Sequence, residues 1–530
     1  MPRLRTLFLP LAPAVLICAS GALCGATLAQ SGLTPAESRG KQIYVQGTSP
    51  SSRPVLAYVG DSSLEMPGAA MPCANCHGAD GRGKPEGSIS PSDIRSESLT
   101  KPYGVIHPDG RKHPAYTARA FELAITRGVD PAGNRLSTVM PRYSLARDDL
   151  NDLLAYLERL GADRDPGINE KSIVIGAVVP TKGPLGEMGQ AIKATATAFF
   201  DDLNNNGGIF NRRIELRFAE AGETPAATRA NVARLLQTDQ VFAMTVSVIA
   251  GAETEITPLL AQTKVPMIGA LTLYPQTDFP LNREVFYLLA GMDGQARAMI
   301  HHAAGTPELL KGGIAIVYAD TPANAAVVAA AKDQSEKDGF KPDLFAYPAG
   351  HFDAGTEARR IGASHATVIF FGDGHEALAL MKAADEAHWY PALYLPSANS
   401  NSDLFRAPAG FDHRILLAFP TSPADQTNEA INEFRAFAAR HQLPLNHAAA
   451  LVSAYGGLKI LTEALKRAGK DVSREKLIDT LEGFYDYPTG LTPPITYGPN
   501  ARVGAMGAYI VAIDLQQQQF MSVSAWVKVN

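Results

Sequence analysis

Cys73-Ala74-Asn75-Cys76-His77 is the stretch that decides how the first part of this chain is read. It is approached through Pro67-Gly68-Ala69-Ala70-Met71-Pro72 and left through a run containing Gly78, Gly81 and Gly83. A structural zinc site needs four ligands, and this run offers three. A thioredoxin-type dithiol needs a strand before it and a helix opening at the first cysteine, which this approach does not supply. The spacing instead lets two thiols form thioethers to haem vinyl groups while the next histidine turns its ring onto the iron. The expected cofactor is one covalently bound haem c, with His77 and a second residue ligating the iron.

The remaining cysteines agree with this. The chain has four, and Cys18 and Cys24 lie in an N-terminal segment with Arg3 and Arg5 before an apolar run from Leu7 to Leu28. That run ends in Thr27-Leu28-Ala29 before Gln30, the pattern of a cleaved secretory signal over residues 1–29. Pro10, Pro13 and Ser20 make it a poor membrane span, and Gly21-Ala22-Leu23 before Cys24 is a poor lipidation signal. The mature protein is expected in the periplasm, with Cys73 and Cys76 as its only cysteines.

At 530 residues the chain is too long for one hydrophobic core. Hydrophobic residues make up 46%, charged residues 19%, and the formal net charge is -5. With a mean hydropathy of -0.05, these values describe a soluble globular protein and argue against disorder and nucleic-acid binding.

Residues 30–165 form the first expected domain. Leu150, Leu153, Leu154, Leu157 and Leu160 share one face of a helix over Arg147–Leu160, which should pack on a helix over Ala36–Val45 with Ile43 and Tyr44 inward. Between the haem segment and this closing helix lies Val139-Met140-Pro141-Arg142-Tyr143. Met140, in a turn and locked by the following proline, is the candidate second iron ligand. Imidazole plus thioether would fill both axial positions, give a relatively high potential and suit outer-sphere electron transfer.

The domain resembles the mono-haem class I cytochromes c. The resemblance rests on Gly40-Lys41-Gln42-Ile43-Tyr44, the Cys73–Gly78 run, Ile125–Pro131 and Met140-Pro141. It implies an all-α domain, His77 as proximal ligand, Met140 as distal ligand, and Pro91 against the proximal ring. The free imidazole N–H would find its acceptor near Pro91. Gln46–Pro72 is an insert relative to this family, expected to cover a haem edge or dock on the second domain. It contains Met66 and Met71, two rival sulfur donors.

After Gly161–Gly167 the periodicity changes. Strand-like runs at Ser172–Pro180, Ile214–Phe218, Phe242–Val246, Met267–Gly269, Ile314–Tyr318 and Thr367–Phe371 alternate with helix-length amphipathic runs. Such alternation predicts parallel sheets covered by helices on both faces. No cysteine, no phosphate loop ending in Lys-Ser/Thr and no His-Glu-x-x-His occurs in this region, so catalysis is not expected. His301-His302 reads as surface or capping rather than metal-binding.

The second domain, 166–530, resembles the two-lobe periplasmic receptors of branched-chain amino-acid ABC transporters. The resemblance rests on Asp201–Ile209, Thr263–Ile268, Phe370-Phe371-Gly372 and Pro493–Asn500. It implies a type I α/β fold whose chain passes three times between lobes, near Leu288–Gly291, Leu416–Pro420 and Pro493–Asn500. Lobe 1 would comprise about 171–290 and 421–490, lobe 2 about 291–420 and 495–530. Matched to the family, the lobe-1 ligand donors fall near Ser247 or Val248, and at Ala270 and Thr272. The aromatic residues expected in lobe 2 are missing at Thr321–Asn324 and at Gly374, and the acid that pairs an ammonium is missing at Pro396–Asn399. An unpaired buried ammonium is costly. The implied ligand is therefore a small carboxylate, alcohol or aromatic compound near Thr272, Tyr274, Asp373, His375 and Asn399.

Two functions compete on this evidence. One is a periplasmic electron carrier whose second domain docks on or senses for a dehydrogenase, and it is favoured because a diffusing receptor has no evident need of a redox group. The other is an ABC-transporter receptor, docking on a permease, with an accessory haem domain. A haem enzyme is disfavoured because Met140 would close the iron.

Overall fold

Thr34 begins the first helix by a reciprocal cap. Its hydroxyl accepts from the Glu37 N–H, and the Glu37 carboxylate accepts from the Thr34 N–H at 2.6 Å. Proline at the first position and Gly47 in the left-handed conformation bound the helix to Pro35–Gln46. The computed structural model describes residues 33–529 apart from 61, 62, 84, 86, 88, 108, 278 and 363, and the expected export signal lies outside them. The chain divides into two units, Met1–Asp163 and Arg164–Asn530.

In the first unit, helix Pro35–Gln46 crosses helix Arg147–Arg159 at Gly40. A Cβ at Gly40 would lie 2.0 Å from the Asp152 carbonyl oxygen, so only glycine permits this approach. Ile43, Tyr44, Leu150, Leu153 and Leu157 are buried at the crossing, joined by Phe121 and Ile125 from helix Ala118–Arg127. To this helical frame the insert adds a hairpin. Leu56–Val59 pairs antiparallel with Leu64–Pro67 on one side and with Arg142–Ser144 on the other. Tyr58 stands opposite Arg142, and Ala57 opposite Tyr143. The insert thus joins the strand that directly follows Met140.

The second unit has two lobes. Lobe 1 is a six-stranded parallel sheet in the order Val503–Ala505, Val285–Leu289, Met267–Ala270, Ala243–Thr245, Ser172–Val179, Arg213–Glu220. Its strands are near-continuous apolar runs because helices cover both faces. The long helix Ala448–Ala468 packs on it closely enough that a Cβ at Gly457 would lie 3.5 Å from the Gly269 Cα.

Lobe 2 is an eight-stranded sheet. Asp343–Pro348, Ile314–Asp320, Thr367–Phe371, Ala392–Pro396 and Ile415–Phe419 are parallel, and Gly507–Asp514 turns antiparallel beside the last. The first two crossings fall after Leu289 and after Phe419. The third differs from expectation. Val503–Ala505 still pairs with Val285–Leu289, and Ile495 and Tyr497 belong to the lobe-1 core, so the chain crosses at Met506 rather than within Pro493–Asn500. Residues 495–505 are therefore lobe 1, not lobe 2.

Candidate functional site

Pro72 starts and Gly78 ends a single helical turn, Cys73–His77, which sets both cysteines and the histidine along one wall of a cavity of about 250 Å³. Pro91 and Met140 also line the cavity, as do Leu99, Phe121, Ile125 and Leu157. Cys73 and Cys76 form no disulfide with each other. His77 Nδ1 lies 2.9 Å from the Ser92 carbonyl oxygen, so Nδ1 carries the proton and Nε2 keeps its lone pair. Burial pushes the imidazole below its ordinary pKa, against the opposing pull of that hydrogen bond. The acceptor is thus the residue after Pro91.

The glycine-rich exit serves this contact. The Gly83 N–H donates to the His77 carbonyl at 2.8 Å, and a Cβ at Gly83 would lie 2.0 Å from the Pro91 carbonyl oxygen. Gly83 also has φ +87°, so glycine is required twice over.

Met140 enters the cavity from an irregular loop. Of the rival methionines, Met71 also lines the cavity, and Met66 sits on the hairpin opposite Ala57. The Tyr143 hydroxyl donates to the Met71 carbonyl at 2.6 Å, and the Tyr44 hydroxyl donates to the Gly78 carbonyl at 2.7 Å. His107, Asp109, Arg111 and Arg135 complete the lining on its polar side. His107 Nε2 lies 2.9 Å from His113 Nε2, and His113 Nδ1 lies 2.8 Å from the Pro114 carbonyl. By elimination His113 Nδ1–H donates to that carbonyl, and His107 Nε2–H donates to His113. Two thiols, an imidazole lone pair, a thioether and apolar walls form a donor set that fits haem c.

The expected solute residues do lie at the carboxyl ends of the sheets, where a two-lobe cleft forms. Most are already used by the fold. Ser247 is fully buried; it accepts from the Val178 N–H and donates to the Thr245 carbonyl, both at 3.1 Å. Ala270 is the last residue of its strand and is buried. The Thr272 hydroxyl donates to Glu253 and accepts from the Tyr274 N–H at 2.9 Å. Tyr274 itself packs against the lobe-2 core. Asp373 caps helix Gly374–Glu386 through a reciprocal pair with Glu376, and the buried Asn399 donates to the Gly372 carbonyl at 2.9 Å. His375 is exposed on the first turn of that helix. His301 and His302 do not converge: one meets Asp338 and the other the Tyr394 hydroxyl.

Three residues went unnoticed in the sequence. Glu253 is a buried carboxylate behind Thr272, and Gln295, fully buried, accepts from the Ser397 N–H at 2.9 Å. The Arg142 guanidinium donates to main-chain carbonyls of the methionine loop. The signal for Gln295 was its place on the helix just after the first crossing. Nothing in the local pattern marked the other two.

Residues 172–519 match the family model described as periplasmic binding protein. The chain belongs to the periplasmic binding protein family. Residues 69–161 match the cytochrome c model, so a cytochrome c domain precedes the receptor domain. A "Leu/Ile/Val-binding protein homolog 3" of Brucella melitensis biotype 1 is 22% identical over 300 residues, covering 56% of this chain and 79% of that protein. A "fatty acid ABC transporter substrate-binding protein" from Thermomonospora curvata aligns with TM-score 0.55 at 16% identity, over 69% of this chain and 95% of that one. A "branched chain amino acid ABC transporter from Thermus thermophilus with bound valine" also reaches TM-score 0.55 at 16% identity, over 68% and 98%. At such identities the structures establish a shared fold. Both families are carriers or receptors rather than catalysts, and the receptor family places the protein in the periplasm.

Proposed function

We propose that this protein is a periplasmic solute receptor of the ABC-transport type carrying a tethered haem c domain for outer-sphere electron transfer. The observation that carries this reading is the family match over residues 172–519, joined to a cavity lined by Cys73, Cys76, His77 and Met140. The receptor reading overtakes the electron-carrier reading because the receptor family accounts for the larger part of the chain.

Cys73 and Cys76 would hold the haem by thioethers, and His77 Nε2 and the Met140 sulfur would ligate its iron. Bound there, the group supplies reversible one-electron transfer between ferric and ferrous iron. The protein's part would be to fix the His77 ring through the Ser92 carbonyl, exclude water with apolar walls and hold the Met140 thioether toward the iron. In the receptor domain, closure of the lobes about three crossings would enclose a small organic solute. An α-amino acid is disfavoured by the missing aromatics at Thr321–Asn324 and Gly374 and the missing acid at Pro396–Asn399. A small carboxylate, alcohol or aromatic compound fits better, reached from Tyr274 and His375 and from the main chain around Ala270. An ABC permease and a periplasmic redox partner, such as a dehydrogenase, are the partners this reading requires.

The test is calorimetry of the purified holoprotein against a panel of short carboxylates, alcohols, aromatic acids and the branched-chain amino acids. It is followed by anaerobic mixing with candidate dehydrogenases while haem reduction is watched. Solute binding without reduction by any dehydrogenase supports the receptor. Reduction without any solute binding favours the electron carrier.

A further inference from the structure

We propose that Arg142, backed by the insert hairpin, is a positioning residue that holds the Met140 loop closed; this rests on Met140 as the second iron ligand. The half-buried Arg142 guanidinium donates to three main-chain carbonyls of one short loop: Leu136 at 2.9 Å, Ser137 at 3.2 Å, and Met140. No carboxylate forms an ion pair with it among the described residues. The charge is spent on the loop rather than on an acid.

The surroundings are shaped for this side chain. A Cβ at Gly128 would lie 1.8 Å from Arg142 Nε, so the glycine that ends helix Ala118–Arg127 also makes room for the guanidinium. The Gly128 carbonyl accepts from the Leu136 N–H at 2.9 Å, closing the near end of the loop. From the other side the hairpin fixes the main chain. Tyr58 pairs with Arg142, and the Gly60 N–H donates to the Thr138 carbonyl at 3.0 Å. The carbonyls of Leu136, Ser137, Thr138 and Met140 are therefore all held by groups outside the loop.

An irregular loop without such ties opens easily, and each opening would expose the iron to outside ligands. Planar guanidinium geometry suits several carbonyls at once, which a single amide cannot match. The insert, which has no place in the small cytochromes it interrupts, thereby acquires a use: its strand Leu56–Val59 pairs with the strand that carries Arg142.

The experiment measures cyanide affinity of the ferric holoprotein together with the weak sulfur-to-iron absorbance at the red end of its spectrum. Arg142→Leu should raise cyanide affinity about tenfold or more, as loss of charge-assisted hydrogen bonds implies, and weaken the absorbance. Arg142→Gln, able to keep one bond, should fall between. Gly128→Ala, acting from a different element, should move both readouts the same way. In a Met140→Ala background, Arg142→Leu should change cyanide affinity by less than about twofold, because the two changes then act on one step. Wild-type affinity and absorbance in both Arg142 variants would overturn the proposal. So would an equal effect of Arg142→Leu with and without Met140, which would mean that the arginine acts elsewhere. If Met140→Ala itself leaves the iron closed to cyanide, the ligand assignment fails and the brace fails with it.

Discussion

His77 and Ser92 are joined through Nδ1 and a main-chain carbonyl 2.9 Å apart, and the absent side chain of Gly83 lets that carbonyl's segment pack close. Ring orientation therefore depends on a residue that touches neither iron nor imidazole. Gly83→Ala places a methyl against the Pro91 carbonyl in a left-handed backbone, and it should cost about 1–3 kcal/mol of stability in the first unit. The expected signature is a lower unfolding midpoint together with a broadened Soret band. A midpoint within error of wild type would show that the segment yields freely.

Met140→Ala should abolish the red-end absorbance, lower the reduction potential and open the ferric iron to cyanide. Met71→Leu should leave all three unchanged, although Met71 also lines the cavity. The reverse pattern would move the axial sulfur to Met71.

Much of this architecture is legible in the sequence. The cysteine spacing, the Leu150–Leu157 face and the alternating strands and helices after Ser172 are local patterns, and the elements fall within a residue or two of expectation. What escaped depends on contacts between distant parts of the chain. Pairing of Leu56–Val59 with Arg142–Ser144 cannot be read from either segment alone. The third crossing moved because a three-residue strand, Val503–Ala505, finds its partner far away in Val285–Leu289. Ser247 and Asn399 lie just past strand ends, but whether a hydroxyl or amide is free for a ligand depends on what the fold already asks of it.

Acid should weaken the first unit through His107. Burial is the main cause lowering its pKa, aided by Arg111 and His113 and opposed by Asp109 and Asp130. The unfolded chain then binds the extra proton more readily than the folded one. The resulting stability is fully present above the ordinary value of 6.5 and is lost as pH falls toward the depressed folded value. Thermal unfolding of the holoprotein at a series of pH values should show this slope, and His107→Gln should flatten it. An unchanged slope in the variant would assign the effect to other groups.

Ser247→Ala leaves the buried Val178 N–H without its partner, so it should destabilise the Arg164–Asn530 unit by about 1–3 kcal/mol whether or not solute is present. A variant of wild-type stability that loses solute affinity would show instead that the hydroxyl faces the ligand. In the holoprotein, leucine, isoleucine and valine should bind weakly or not at all by calorimetry. Micromolar or tighter affinity would restore an amino-acid pocket.

The measurement closest to the centre of this picture is the mass of the denatured, mature protein before and after acid–acetone extraction. With Cys73 and Cys76 both in thioether linkage, the chain should carry the mass of one haem, keep it through extraction and show no disulfide. Recovery of free haem in the extract, or a chain carrying a Cys73–Cys76 disulfide and no haem, would contradict the assignment of the first unit and leave a solute receptor without a redox centre.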